Sequence, residues 1–324
     1  MPKPVLVGLF IAMCATAAGQ PALAQSWPQR PVKILVPFAA GGPSDTMARA
    51  TATRLSDAFG QPFIVENQPG AAGAIAGEAI VRSPADGYTL YWATAGQVTI
   101  LPAIAKLSYD PIRELTPITA VAENHFALVV NRRTLPVGSL TEFIGYVQKQ
   151  PGNLSYAHAG QGNITHLAME LLSHRANLQI AGIPYKGIGP AFTDVIAGHV
   201  PTMFASLADA IEQERHGAIK VLAVSTRLRS KRSPSTPTVS EAGIANFEIV
   251  SWNGLLARSG TPKTILERIA SEVSRAASIP EFAQQLQNLG FEPIGSSPAE
   301  FAAAISAETP LWLEAIKSAA IKAP

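Results

Sequence analysis

Five times along this chain an apolar, β-branched run ends in a glycine turn that leads into a helix-like segment, and a sixth case is weaker. No other feature narrows the choice of folds as much. In "VKILVPFAAGGPSDTMARA" a buried-strand pattern meets a double-glycine turn, and Ser44 or Asp45 is expected to cap the helix that follows. "PFIVENQPGAAGAIAGEAIV" repeats the plan around Gly70 and Gly73, and "YTLYWATAGQVTILPAI" repeats it around Gly96. Farther on, "LSYAHAGQGNITHLAMELL" and "IPYKGIGPAFTDVIAG" place Gly160, Gly162, Gly187 and Gly189 between strand and helix; "VPTMFASLADAIEQ" is the sixth. Recurrent βα units of no fixed period predict an α/β protein whose parallel strands are covered by helices.

Such a turn is either a plain tight connection or an anion site, because free N–H groups and the positive end of the helix dipole converge there. The first turn lacks the Lys-[Ser/Thr] of a P-loop and the spacing of the dinucleotide fingerprint, so a nucleotide is not expected. In parallel sheets ligands sit beyond the carboxyl ends of the strands, where all these turns lie, so several turns together favour a ligand over an empty connection.

Compartment narrows the anion. Lys3 precedes the apolar run "VLVGLFIAMCATAA", and the small residues Ala22 and Ala24 suit signal-peptidase cleavage, so residues 1–24 are expected to be removed and the mature chain to begin at Gln25. The single cysteine, Cys14, lies in that leader, which leaves the mature chain without thiol, disulfide or cysteine-based metal site. Without Lys3 the formal charge falls from +2 to +1, which does not call for a nucleic-acid partner. The one basic cluster, Arg227, Arg229, Lys231 and Arg232, is expected to be a solvated surface. No second apolar run reaches the ~18 residues of a membrane span.

Two extended segments, "LTPITAVAENHFALVVN" and "FEIVSWNGLLARSGTP", look like connections into and out of a second domain. The C-terminal helical segments each begin near a proline and are expected to pack on the first domain, Ile265, Ile269 and Val273 forming an apolar stripe. Enzymatic chemistry finds no support. There is no His-Glu-x-x-His, no Gly-x-Ser-x-Gly elbow, and the six histidines show no metal-ligand spacing.

The ordered set "VPFAAGGPSDTMAR", "VENQPGAAG", "ADGYTL", "LSYDPIRELTPI", "AGQGNITHLAMELL", "PYKGIGPAFTDVIAGHV", "TPTVSEAG" and "WNGLLARSGTP" resembles the substrate-binding proteins of tripartite tricarboxylate transporters, the Bug or TctC family. The resemblance runs from about Trp27 to the C-terminus. It implies a two-lobed periplasmic binding protein of type II (Venus-flytrap) with two crossover strands, lobe 1 comprising residues 25–124 and 253–324 and lobe 2 residues 125–252. It further implies a monomer without cofactor or metal that captures a small mono-, di- or tricarboxylate, aliphatic or aromatic, and hands it to a membrane permease. The alternative is a solute sensor whose ligand-bound form docks on a histidine kinase; both would use the same pocket.

Carried over by matching motif, one carboxylate is expected in the first two turns, at Phe38, Ala39, Gly41, Gly42, Ser44, Asp45, Gly70, Ala71, Gly73 and Ala74. The third turn contributes Thr94 and Gly96, and the closing loop of lobe 2 His158, Gln161, Gly162 and Asn163. Tyr185 and Gly187, beside Lys186, match the neighbouring loop, and Ser206 ends the sixth unit. The chain departs from the family pattern at His158, where Ser is common, at Asn163, where Ser or Thr is common, and in "AGQVTILPAI", where many members have Ser-Asn near a later His. Ligand identity therefore does not transfer. A strand period of two puts Leu154, Tyr156 and His158 on one face, with His158 at the strand end. From there it is expected either to meet the ligand, so that binding tightens on acidification across roughly pH 5–8, or to turn outward or hydrogen-bond to a neighbouring loop.

Overall fold

The computed structural model describes residues 27–319; the expected leader and Cys14 lie outside the described residues. The chain begins with β1 (Val32–Val36), α1 (Pro43–Phe59), β2 (Phe63–Asn67), α2 (Ala74–Arg82) and β3 (Thr89–Thr94). In the third unit Gly96–Ile100 form a π-helical turn that runs into the short α3 (Leu101–Ile104), followed by α4 (Pro111–Glu114). β4 (Leu115–Asn131) then carries the chain into α5 (Leu140–Lys149), β5 (Leu154–His158), α6 (Ile164–Ala176), β6 (Ile180–Pro184), α7 (Ile188–Ala197), β7 (Thr202–Ser206), α8 (Leu207–Arg215) and β8 (Ile219–Val224). β9 (Val250–Arg258) returns to α9 (Lys263–Ala277), α10 (Pro280–Asn288), β10 (Glu292–Pro293) and α11 (Pro298–Ser318).

The result is a two-lobed α/β fold. In lobe 1 the strand order is β10-β4-β9-β3-β1-β2, with β1 parallel to β2 and β3 and with β3 and β4 antiparallel to β9. β4 pairs with β9 from Leu115 to His125 and then, from Phe126 to Asn131, with β7 and β8. One continuous strand thus belongs to both lobes. The second crossing runs beside it, since the Ile249 N–H donates to the Ser225 carbonyl and Val250 lies opposite His125. Parallel pairing, expected throughout, holds for β1–β3 and for β5 with β6. The crossover strands make the rest antiparallel, because one leaves lobe 1 and the other re-enters it.

The stripe Ile265, Ile269 and Val273 is buried in the core of lobe 1 as its spacing predicts. The last helix departs from expectation. α11 starts against β9, where Phe301 meets Trp252 edge-on at 4.8 Å, but ends on lobe 2, where Glu314 takes a two-pronged ion pair from Arg175 of α6 at 2.9 and 2.7 Å. The basic cluster is exposed, as expected: Arg227, Arg229, Lys231 and Arg232 all lie at the surface, where Arg229 pairs with Glu241 at 2.8 Å and Arg232 reaches across to Glu292 of β10 at 3.1 Å. Among the described residues no helix is long and apolar enough to cross a membrane.

Candidate functional site

In lobe 1 the first three turns are bolted together by side chains. Neither Ser44 nor Asp45 caps α1; the N-cap is Gly42 with Pro43 in the first helical position, whose missing N–H needs no partner. Asp45 instead lies buried behind the turn. Its carboxylate accepts from the Gly41 N–H at 2.9 Å, Arg49 Nε at 2.9 Å and Asn67 Nδ2 at 2.8 Å. Burial pushes this carboxyl up, but the bonds from Arg49, Gly41 and Asn67 together outweigh it and hold it below the usual carboxylate value. Ser44 Oγ donates to Asn253 Oδ1 of β9 at 2.7 Å, and Asn67 Nδ2 also donates to the Phe38 carbonyl at 3.0 Å. Ala39 and Gly41 remain exposed at the tip.

The second turn is strained. Gly70, Ala71, Ala72 and Gly73 all have positive φ, at 130°, 46°, 53° and 100°. For the two alanines this costs about 1–2 kcal/mol each, and such strain collects at ligand sites. Gly73 is where the three turns meet: a Cβ there would lie 2.6 Å from Gln97 Cγ and 3.1 Å from Pro37 Cβ. Gln97, buried in the third turn, accepts from the Thr94 N–H and hydroxyl at 3.1 and 2.8 Å and donates to the Ala72 carbonyl at 3.2 Å. The Gly96 N–H goes to Thr94 Oγ1 at 3.1 Å, and the Ala74 N–H to the Ala71 carbonyl.

In lobe 2 the loop before α6 is held by a hydroxyl and an imidazole. Asn163 caps α6 through Thr165, whose Oγ1 accepts from the Ala159 N–H at 2.9 Å, and the Gly162 N–H donates to His166 Nδ1 at 3.2 Å. That bond requires a neutral His166, and burial together with the neighbouring His158 lowers its pKa to about 4. His158 itself neither lines the cavity between the lobes nor turns outward. It is 3% exposed, lies against His166 with ring centres 4.4 Å apart and planes tilted by 33°, and its Nε2 would lie 3.1 Å from a Cβ on Gly182. It is packed beneath α6 rather than among the residues lining that cavity, and burial depresses its pKa.

A cavity of about 260 Å³ opens between the lobes, lined by Ala72, Thr94, Gly96, Gln97 and Ile100 from lobe 1, Gly162, Asn163 and Ile164 from lobe 2, and Ser251 of the returning strand. Larger hollows, of about 670 Å³ beside α9 and about 460 Å³ beside the basic loop, touch none of the glycine turns. Of the expected residues, the cavity gathers Thr94, Gly96, Gly162 and Asn163, with Ala71 and Gly73 flanking Ala72. Gln161 is exposed on the same loop. Tyr185 is not among the lining residues, its hydroxyl donating to Asp194 at 2.6 Å, and Gly187 serves as N-cap of α7. Ser206 is not brought into the cavity: it is buried at the hinge, with its Oγ 3.3 Å from Asn124 Oδ1. The sequence reading missed Asn67, Gln97, Asn253 and the isoleucine wall. Asn67 and Gln97 stood in the motifs already singled out, but nothing local shows which partner each one reaches.

A two-lobed chain whose glycine turns face one another across paired crossover strands is a solute-binding protein. Residues 47–320 match the model of the tripartite tricarboxylate transporter family receptor, TctC. The chain belongs to this family of periplasmic binding proteins, which are not enzymes. It is 31% identical to Protein BugT of Bordetella pertussis over 322 residues, 98% of this chain and 97% of BugT. It is similar to a solved structure from R. palustris with adipate (33% identity, 91% of this chain and 99% of that one, TM-score 0.70). It is also similar to MatC from Rhodopseudomonas palustris with bound malate (32% identity, 90% and 100%, TM-score 0.67).

Proposed function

We propose that this protein is exported with cleavage after Ala24, works as a monomer, closes lobe 2 (residues 125–252) onto lobe 1 (residues 25–124 and 253–324) around a small carboxylate, and delivers it to the membrane permease of a tripartite transporter. The observation that carries this reading is the cavity between the lobes, with strained backbone at Ala72 on one side and the start of α6 on the other. Backbone donors at turns and helix starts hold an anion without a cationic side chain. The Gly41 N–H is already taken by Asp45, so the first turn offers its ligand the N–H groups of the opening turn of α1, which have no intrahelical partner. The adipate and malate carried by the two similar structures support a carboxylate as ligand. A ligand that binds only the folded state at a hundred times its Kd stabilises it by about 2.7 kcal/mol. A thermal-shift screen of mono-, di- and tricarboxylates should therefore raise the unfolding midpoint, with the matching neutral amides inert. No shift with any carboxylate would refute the reading.

A further inference from the structure

This inference rests on the carboxylate reading and concerns the far end of the ligand. The cavity is walled by Ile100, Leu101 and Ile104 after the third turn and by Ile164 at the start of α6, and among the described residues no Lys, Arg, Asp or Glu lines it. Several of its polar groups are engaged: the Thr94 hydroxyl donates to Gln97 Oε1, Gln97 Nε2 donates to the Ala72 carbonyl, and Asn163 Oδ1 accepts from the Thr165 N–H. Nearby cations are elsewhere or committed: Arg49 is bound to Asp45 and Asn67, and Lys186 is exposed on the loop after β6, outside the wall. A second carboxylate pressed against these isoleucine and leucine side chains, away from the backbone donors of the turns and helix start, would lose its hydration with no cationic side chain to replace it, whereas apolar carbon gains by leaving water. The volume of about 260 Å³ lies below the ~300–1,000 Å³ of clefts for drug-sized ligands, so the body must be short.

We infer that the ligand is a monocarboxylate with a compact apolar body, its carboxylate on the glycine turns and its body against Ile100, Ile104 and Ile164, which select against a second charged end. Hexanoate and adipate share one chain length and differ at the far end, methyl against carboxylate; benzoate supplies an aromatic body. In calorimetric titration of the wild-type protein, hexanoate or benzoate should bind at least about tenfold tighter than adipate. Ile104→Arg places a cation at the half-buried end of the wall and should reverse that preference, with circular dichroism checking the fold. If this variant does not fold, Ile164→Lys at the partly exposed start of α6 makes the same test. Adipate binding as tightly as the better monocarboxylate, for instance because Lys186 swings in to meet it, overturns the inference and leaves the carboxylate reading standing. Failure of these three acids, succinate and citrate to bind at all overturns both.

Discussion

The two walls of the cleft are built from the same strand, turn and helix plan but are locked by different chemistry. In lobe 1 the carboxylate of Asp45 and the amides of Asn67 and Gln97 tie three turns into one body, around a glycine with no room for a methyl group. In lobe 2 a single loop is held by the Thr165 hydroxyl and the His166 ring, and its glycine, Gly160, has only the Tyr185 carbonyl near, at 3.7 Å from a hypothetical Cβ. The first wall is interlocked and indifferent to pH near neutrality. The second depends on an imidazole staying uncharged.

The largest expected effect tests the interlock. Gly73→Ala adds a left-handed alanine and a 2.6 Å contact with Gln97, and should lower stability by about 2–4 kcal/mol in urea unfolding. Gly160→Ala, with φ of +116° but open space, should lose only about 1–2 kcal/mol. Equal losses would mean that the lobe 1 turns are no more tightly coupled than the lobe 2 loop.

The next test is pH. His166 binds its proton more weakly in the folded chain, at about 4 against an ordinary 6.5, so the unfolded chain takes up more protons between these values. Stability is complete above pH 6.5 and should fall by up to about 3 kcal/mol as pH drops towards 4. Buried His158 adds to the loss in the same direction. In His166→Gln the amide oxygen can still accept from the Gly162 N–H, and its stability curve should be flatter over this range. A wild-type curve that stays level from pH 6.5 to 4.5 would remove the contrast between the walls.

The smallest effect on stability separates two adjacent glycines in the first turn. Gly41 has φ of +87°, whereas Gly42 sits at −77° with its nearest neighbour 3.8 Å from a Cβ. Gly42→Val should lower stability by about 0.5–1 kcal/mol, the difference between a glycine and a β-branched N-cap, while blocking approach to the opening turn of α1. Calorimetry that finds ligand affinity unchanged in this folded variant would show that the first turn is not part of the grip.

Much of this was legible along the chain. The five firm strand-turn-helix units appear where their period and glycines place them, and the two extended connections are β4 and β9, because period, turn chemistry and run length are local properties. His158 shows where local reading stops. Its strand face was correctly shared with Tyr156, yet which of two faces looks at α6 depends on what packs there, and His166 and Glu170 arrive from a separate element. Asp45 is a second case. A residue that suits a cap by position became a buried anchor once Arg49 and Asn67 could reach it.

By itself the sequence determined the α/β class, the order of the units and the family, since each depends on patterns that survive without knowledge of neighbours. The tertiary structure alone decided which turn donors are already engaged, that α11 ends on lobe 2, that Arg232 of the basic loop finds Glu292 of β10, and that the cleft wall beyond the glycines is uncharged. The physical reason is one of range. Backbone geometry is set by adjacent residues, whereas a buried polar side chain chooses its partner only when folding brings distant segments within hydrogen-bonding distance.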